Sequence, residues 1–113
     1  MKVLVTGANG FVGSNLIKKL VKNSIEVLAI DVSFANSQLP ISNLVTQREL
    51  SIENIEELAS FINVDEYDLF YHFAWIGVNG VAKGDIDIQL HNIEMSISCA
   101  KAAKKFGCKK FLC

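Results

Sequence analysis

The stretch Thr6-Gly7-Ala8-Asn9-Gly10-Phe11-Val12-Gly13 decides the fold of this chain. It follows a short β-branched run, residues 2–6, and opens a segment whose apolar residues recur at helical spacing. A tight strand-to-helix turn needs backbone freedom, which Gly7 provides. The missing side chain of Gly10 lets a pyrophosphate approach the main chain, and Gly13 lets helix and strand pack closely. The stretch therefore predicts a phosphate-binding loop at a helix N-terminus.

The spacing of these glycines separates the loop from two related ones. Many dehydrogenases carry Gly-x-Gly-x-x-Gly, whereas this chain has Gly-x-x-Gly-x-x-Gly. A triphosphatase loop needs a lysine after its last glycine, but Gly13 is followed by Ser14 and Asn15. We therefore predict a dinucleotide site that includes Asn9, Phe11 and Val12; a tight turn that binds nothing is the alternative.

Strands and helices alternate along the rest of the chain. Strands are predicted at residues 2–6, 26–31, 44–48, 68–73 and 109–113. Helices are predicted at residues 11–23, after a Ser51 cap, and at residues 85–106. This order predicts a doubly wound α/β fold, with five parallel strands in the order 3-2-1-4-5 and helices on both faces.

Two of the predicted helices carry a defined apolar face. The helix capped by Ser51 has on one face Ile52, Ile55, Leu58, Ala59 and Ile62. The long helix has on one side Ile86, Leu90, Ile93, Ile97 and Ala100. Gly107 is expected to end the long helix.

Composition excludes several classes of protein. The 113 residues fit one domain, and 50% are apolar, so a packed core is expected. A net charge of −1 gives no general attraction to nucleic acid or to anionic membranes. No apolar stretch reaches the ~18 residues of a membrane span. Cys99, Cys108 and Cys113 form neither a metal-ligand pair nor an even disulfide set, which favours reduced thiols in the cytoplasm.

Asp31 closes the predicted second strand. At this position a carboxylate accepts hydrogen bonds from the adenosine ribose and repels a 2′-phosphate. No arginine or lysine lies between Lys22 and Arg48 to bind such a phosphate. Asp31 therefore predicts NAD rather than NADP; the alternative is that it only caps a strand end.

The chain resembles the NAD-dependent epimerase/dehydratases, extended short-chain dehydrogenase/reductases that act on nucleotide sugars. The resemblance rests on the glycine stretch, Asp31, residues 68–74 with His72-Phe73-Ala74, and Asn92 on the helix that leads into residues 109–112. It implies a Rossmann fold, bound NAD, a nucleotide-sugar substrate and a homodimer.

The resemblance also implies roles for single residues. Phe73 and Ala74 would border the cofactor, and Asn92 would look toward it from the long helix. Glu49 and Leu50 would contact adenine. His72 would be structural rather than catalytic.

Trp75 departs from the small residue that the family usually has after Ala74. The segment Trp75-Ile76-Gly77-Val78-Asn79-Gly80 either shapes a substrate pocket or leaves Trp75 in the core. Both interpretations stay open at this point.

The residues that carry the family's chemistry are absent from these 113 residues. That chemistry needs a serine or threonine beyond the fifth strand and a Tyr-x-x-x-Lys motif, in which the tyrosinate acts as base. Neither Tyr67 nor Tyr71 has a lysine four residues later, and the chain stops at Cys113. We expect the NAD-binding N-terminal part of an epimerase/dehydratase, truncated after strand five and inactive alone. A non-catalytic NAD-sensing module and a small-carbonyl reductase are the alternatives.

Overall fold

The computed structural model describes residues 1–77 and 80–113, and contains five strands. The strands are β1 (Lys2–Thr6), β2 (Glu26–Asp31), β3 (Val45–Glu49), β4 (Leu69–His72) and β5 (Lys110–Leu112). The α-helices are α1 (Phe11–Lys22) and α2 (Ile86–Lys105). Two 3-10 helices cover Ile52–Ser60 and Gly80–Gly84.

The five strands form one parallel sheet in the order β3-β2-β1-β4-β5, which confirms the predicted topology. Val5 lies at the centre and pairs with Ala29 of β2 and Tyr71 of β4. Strands β2 and β3 lie on one side of β1, and β4 and β5 lie on the other, so the strand order switches between β1 and β4. In open α/β sheets the crevice at this point, beyond the carboxyl ends of the strands, is where ligands bind.

Two apolar layers cover the faces of the sheet. On one face α1 packs its buried Ile17 and Leu20 against Val3, Val5 and other strand residues. The opposite face is covered by α2 and the 52–60 helix, which pack on a set of fully or nearly buried strand residues: Leu4, Leu28, Ile30 and Phe70. Side chains alternate across the sheet, so a continuous apolar strand such as β1 supplies both layers.

The segment after Ser51 is 3-10 helix with a kink at Asn54, whose φ of −108° and ψ of 23° are not helical, and not the continuous helix that was predicted. Its cap is confirmed, because the Ser51 side chain accepts a hydrogen bond from the Glu53 backbone N–H. Ile52, Ile55 and Leu58 are buried at a spacing of three residues, the repeat of a 3-10 helix. Ala59, placed on the apolar face by a 3.6-residue repeat, is therefore exposed.

Helix α2 buries a different face from its most apolar one. Its buried residues are Asn92, Cys99, Ala102 and Ala103. The predicted apolar stripe is present but faces outward, with exposed fractions of 73% at Ile86, 52% at Leu90, 51% at Ile93 and 51% at Ile97. We call these four residues the α2 stripe.

The remaining differences from the predicted elements are small. β3 begins one residue later than predicted, and α2 is capped at its N-terminus by the side chain of Asp85, which accepts from the Ile88 N–H. Between β4 and α2 the chain forms the 3-10 helix Gly80–Gly84, while Val78 and Asn79 lie outside the described residues. Among the described residues, no helix has the length and apolar character needed to cross a membrane.

Candidate functional site

The glycine stretch forms the predicted strand-to-helix turn, and two of its glycines are required by packing. Gly7 has a φ of +67°, and a Cβ there would lie 2.6 Å from the Phe73 carbonyl carbon and 2.7 Å from the Ala74 nitrogen. A Cβ on Gly13 would overlap the Gly7 carbonyl oxygen and lie 3.0 Å from the Ala8 Cα. Gly7 thus allows β1 and the end of β4 to approach, and Gly13 allows α1 to pack on the turn.

Gly10 differs, because its backbone is ordinary and its surroundings are less crowded than those of Gly7 and Gly13. As the N-cap of α1 it has a φ of −78°, and a Cβ there would meet only the Gly7 oxygen, at 3.2 Å. Within the described chain, no side chain caps this helix and its first turn holds no acidic residue. The first-turn N–H groups and the positive end of the helix dipole are therefore available to an anion. This arrangement fits the pyrophosphate of a dinucleotide.

Asp31 connects the end of β2 to the glycine turn. Its Oδ2 accepts a hydrogen bond from the Asn9 backbone N–H at 2.8 Å, and its Oδ1 accepts from the Val32 N–H at 2.8 Å. Each carboxylate oxygen can accept a further bond, so both remain available to ribose hydroxyls. The Asn9 side chain donates to the carbonyls of Ser33 and Ala35, which holds the segment after β2 against the turn.

A cavity of about 240 Å³ lies in the crevice at the carboxyl ends of the strands. It is lined by six of the residues that the sequence predicts for the cofactor: Gly7, Gly10, Asp31, Leu50, Phe73 and Ala74. Its other lining residues come from the ends of β2, β3 and β4 and from α2: Ile30, Val32, Ser51, Ile52, Glu53, Trp75, Ile76 and His91. The fold thus brings five separate parts of the sequence to one site.

The wall of this cavity after β4 is held by α2. The Asn92 side chain accepts a hydrogen bond from the Ile76 N–H at 3.0 Å and donates to the Ile76 carbonyl at 2.7 Å. Gln89, one turn earlier, accepts a hydrogen bond from the Trp75 indole N–H at 3.1 Å. Asn92 is 1% exposed and lies behind the wall rather than in it. Its direct contact with a cofactor therefore stays a prediction.

His72 occupies a structural position. Its Nδ1 lies 2.8 Å from the Thr6 hydroxyl, so the pair joins the ends of β4 and β1. His72 is 3% exposed, and burial lowers the pKa of its imidazole because the charged form loses its hydration. The side chain is not among the residues that line the cavity. These contacts agree with the structural role that was expected.

Other predicted site residues lie apart from the cavity. Glu49 is exposed, and its carboxylate accepts from the Phe34 N–H at 3.4 Å, so its contact with adenine stays a prediction. Asn9 and Phe11 line a second, more polar groove on the outer side of Gly10. Phe11 is 86% exposed and Val12 is 57% exposed.

Sequence reasoning did not predict that Ser51, Glu53 and His91 would line the cavity. The Glu53 carboxylate lies 3.0 Å from His91 Nε2 and thereby connects the 52–60 helix to α2. Ser51 and Glu53 follow Leu50 just beyond β3. Their position at the carboxyl end of a strand is the sequence feature from which their place in the cavity lining could have been predicted. His91 gives no such signal, because only the packing of α2 brings it to the cavity.

Comparison with known proteins gives a consistent result. Residues 3–113 match the profile of a family described as the NAD dependent epimerase/dehydratase family. A UDP-glucose 4-epimerase of Cyamopsis tetragonoloba is 28% identical over 97% of this chain and 34% of its own length. A UDP-2-acetamido-2,6-beta-L-arabino-hexul-4-ose reductase of Pseudomonas aeruginosa is 33% identical over 95% of this chain and 23% of its own length.

Among solved structures, the chain is similar to the Bordetella bronchiseptica enzyme WbmG in complex with NAD. The TM-score is 0.75 at 28% identity, and the match covers 98% of this chain and 36% of WbmG. The chain thus spans about a third or less of the length of each of these proteins.

Proposed function

This chain belongs to the NAD-dependent epimerase/dehydratase family, and on that basis we propose that it binds NAD as part of a nucleotide-sugar oxidoreductase of the cytoplasm. The observation that carries the proposal is the shared cavity at the switch point of the sheet. Gly7, Gly10 and Asp31 line it together, although they come from different parts of the sequence. The names of the UDP-sugar relatives support a nucleotide sugar as substrate, and three free cysteines support a reducing compartment.

When bound, NAD supplies reversible hydride acceptance at its nicotinamide. The residues of this chain would act at the other end of the dinucleotide. The N-terminus of α1 would hold the pyrophosphate through backbone N–H groups, since Gly10 leaves the main chain open to it. Asp31 would accept the adenosine ribose hydroxyls and disfavour a 2′-phosphate. Phe73 and Ala74 would form the apolar border of the site.

Calorimetric titration of the 113-residue chain with NAD and with NADP tests this proposal. We expect NAD to bind and NADP to bind at least about tenfold more weakly, a difference of ~1.4 kcal/mol. Cytidine triphosphate, which lacks adenine, serves as a control for non-specific binding of a nucleotide. Equal binding of all three compounds, or no binding of NAD, would contradict the proposal.

We also propose a second copy of the chain as the partner of the α2 stripe. Ile86, Leu90, Ile93 and Ile97 follow each other at spacings of four, three and four residues, the repeat of a helix pair that packs along a seam. Each is more than half exposed, so pairing would remove a continuous apolar surface from water.

Light scattering during size-exclusion chromatography tests the proposed homodimer. Ile93→Asp should convert a dimer into a monomer, whereas the neighbouring exposed change Glu94→Gln should leave it intact. A monomer in the unaltered protein at high concentration would contradict this part of the proposal.

A further inference from the structure

We infer that Gln89 and Asn92 hold Trp75 as a fixed wall of the cavity, and that the Trp75 indole contacts the adenine of the bound dinucleotide. The inference rests on the proposed function and deepens it. It assigns a ligand-contacting residue and two positioning residues. We call Gln89 and Asn92 the amide pair.

The amide pair is hydrogen-bonded to the segment after β4. The Gln89 Oε1 accepts from the Trp75 indole N–H at 3.1 Å and from the Asn92 Nδ2 at 3.2 Å. The Gln89 Nε2 donates to the carbonyls of Gly77 and Lys83, each at 3.3 Å. Gln89 therefore connects the Trp75 indole to the backbone at Gly77 and at Lys83.

Asn92 fixes the backbone next to the indole. Its side-chain amide donates to the Ile76 carbonyl and accepts from the Ile76 N–H, so the two residues form a ring closed by two hydrogen bonds. The Asn92 side chain is 1% exposed while Ile76 is 52% exposed, so the two bonds join the buried face of α2 to an exposed segment, and loss of the amide would release the Ile76 backbone to water. Because Gln89 and Asn92 are three residues apart on α2, they project from the same side of the helix. One rigid element therefore sets both the backbone and the side chain of the wall.

Trp75 is not a core residue, which resolves the alternative that its sequence left open. It is 45% exposed and lines the cavity beside Ala74. A large aromatic ring that is held by a hydrogen bond at one end and open on a cavity offers a stacking surface to a planar ligand. Every nucleic base has a π-face that such a surface can bind.

The size and lining of the cavity select the adenine end of the dinucleotide. A volume of about 240 Å³ is below the ~300–1,000 Å³ of pockets that enclose a whole drug-sized ligand, so it suits one part of NAD. Asp31, the expected ribose ligand, lines the same cavity, and the base attached to that ribose must lie close by. Val32 and Leu50 add apolar surface to the lining.

The chain contains a single tryptophan, so its fluorescence reports on Trp75 alone. We expect NAD and AMP to change this emission to similar end points. Nicotinamide mononucleotide, which lacks adenine, should leave the emission unchanged. An emission change with nicotinamide mononucleotide but none with AMP would overturn the assignment of the Trp75 contact to adenine.

Substitutions distinguish the role of Trp75, which contacts the ligand, from that of Gln89, which positions Trp75. Trp75→Ala should weaken both NAD and AMP binding roughly 5- to 140-fold, the loss expected when an aromatic surface under a base is removed. Gln89→Ala should weaken AMP binding about fivefold and alter the fluorescence emission of the ligand-free chain. Gln89→Glu keeps an oxygen that accepts from the indole N–H, so it should recover part of the affinity for AMP. Gln47→Ala, at an exposed position of β3 outside the cavity, is the matched control and should leave affinity and emission unchanged.

Calorimetry distinguishes failure of this inference from failure of the proposed function. If NAD binds the unaltered chain and binds Trp75→Ala equally well, the inference is overturned and the proposed function stands. If NAD does not bind the unaltered chain at all, both are overturned. Unfolding midpoints of all variants are measured in parallel, and a Gln89→Ala effect on affinity at an unchanged midpoint supports positioning rather than general destabilisation.

Discussion

The alanine substitutions Gly10→Ala and Gly13→Ala should separate cofactor binding from folding within one loop. A Cβ on Gly13 would overlap the Gly7 carbonyl oxygen and crowd the Ala8 Cα at 3.0 Å. Both obstacles are backbone atoms, so α1 must move away from β1. On Gly10 the same Cβ meets one oxygen at 3.2 Å, and the φ of −78° suits any residue.

The expected magnitudes follow from these distances. Overpacking typically costs about 1–3 kcal/mol, and a backbone obstacle puts Gly13→Ala at the upper end, ~3 kcal/mol. Gly10→Ala weakens the N-cap by ~1 kcal/mol, but it also restricts the unfolded chain, which offsets about 0.4–1 kcal/mol. Its net effect on the free energy of unfolding should therefore stay within ~1 kcal/mol. Its effect on NAD affinity should exceed about tenfold, because the new methyl group occupies the space that a pyrophosphate needs.

Urea unfolding followed by circular dichroism gives the first quantity, and calorimetric titration with NAD gives the second. Gly84→Ala is the matched control, since a Cβ there meets nothing within 4 Å. It should change neither quantity. Wild-type stability in Gly13→Ala would refute the packing argument, and wild-type NAD affinity in Gly10→Ala would refute the placement of the pyrophosphate.

Three further outcomes are expected. Asp31→Asn removes a charge from the cavity and should narrow the preference for NAD over NADP in competition binding; tighter binding of NADP by the unaltered chain would contradict the role of Asp31. The 113 residues alone should show no epimerase or dehydratase turnover with UDP-sugars and NAD, because neither of the chain's two tyrosines begins a Tyr-x-x-x-Lys motif; measurable turnover would show that the chemistry uses other groups. Hydrogen bonds from the Asn63 backbone and then from Lys2 lower the pKa of Glu66. The ionised carboxylate therefore stabilises the fold at any pH above the ordinary carboxyl pKa of ~4.3. This stabilisation is lost as the pH falls through the lowered pKa. Glu66→Gln should therefore flatten the acid side of a plot of urea midpoint against pH, and an unchanged plot would exclude the effect.

The features that depend on local chemistry could be predicted from the sequence. Continuous apolar strands, the glycine stretch and the cap at Ser51 each act within a few residues, so the element order and the sheet topology were accessible. The same holds for Gly7, whose positive φ follows from the tight turn after β1. Asp31 was accessible because a strand's carboxyl end in a parallel sheet faces the ligand crevice.

The features that depend on packing against other elements could not be predicted in this way. The long helix has its large apolar residues on one side, yet it presents Asn92, Cys99 and small alanines to the sheet. The small residues allow close approach, and the buried Asn92 side chain pairs with both backbone groups of Ile76 in the exposed segment after β4.

The sequence by itself determined the doubly wound sheet, the glycine turn between β1 and α1 and the carboxylate at the end of β2, because each of these needs particular residue types at short spacing. Only the tertiary structure decided which side of α2 is buried, that the 52–60 helix has a three-residue repeat, and that Trp75, Glu53 and His91 meet at the cavity. These residues come from separate elements, and their distances in space depend on how the 52–60 helix and α2 pack on one face of the sheet.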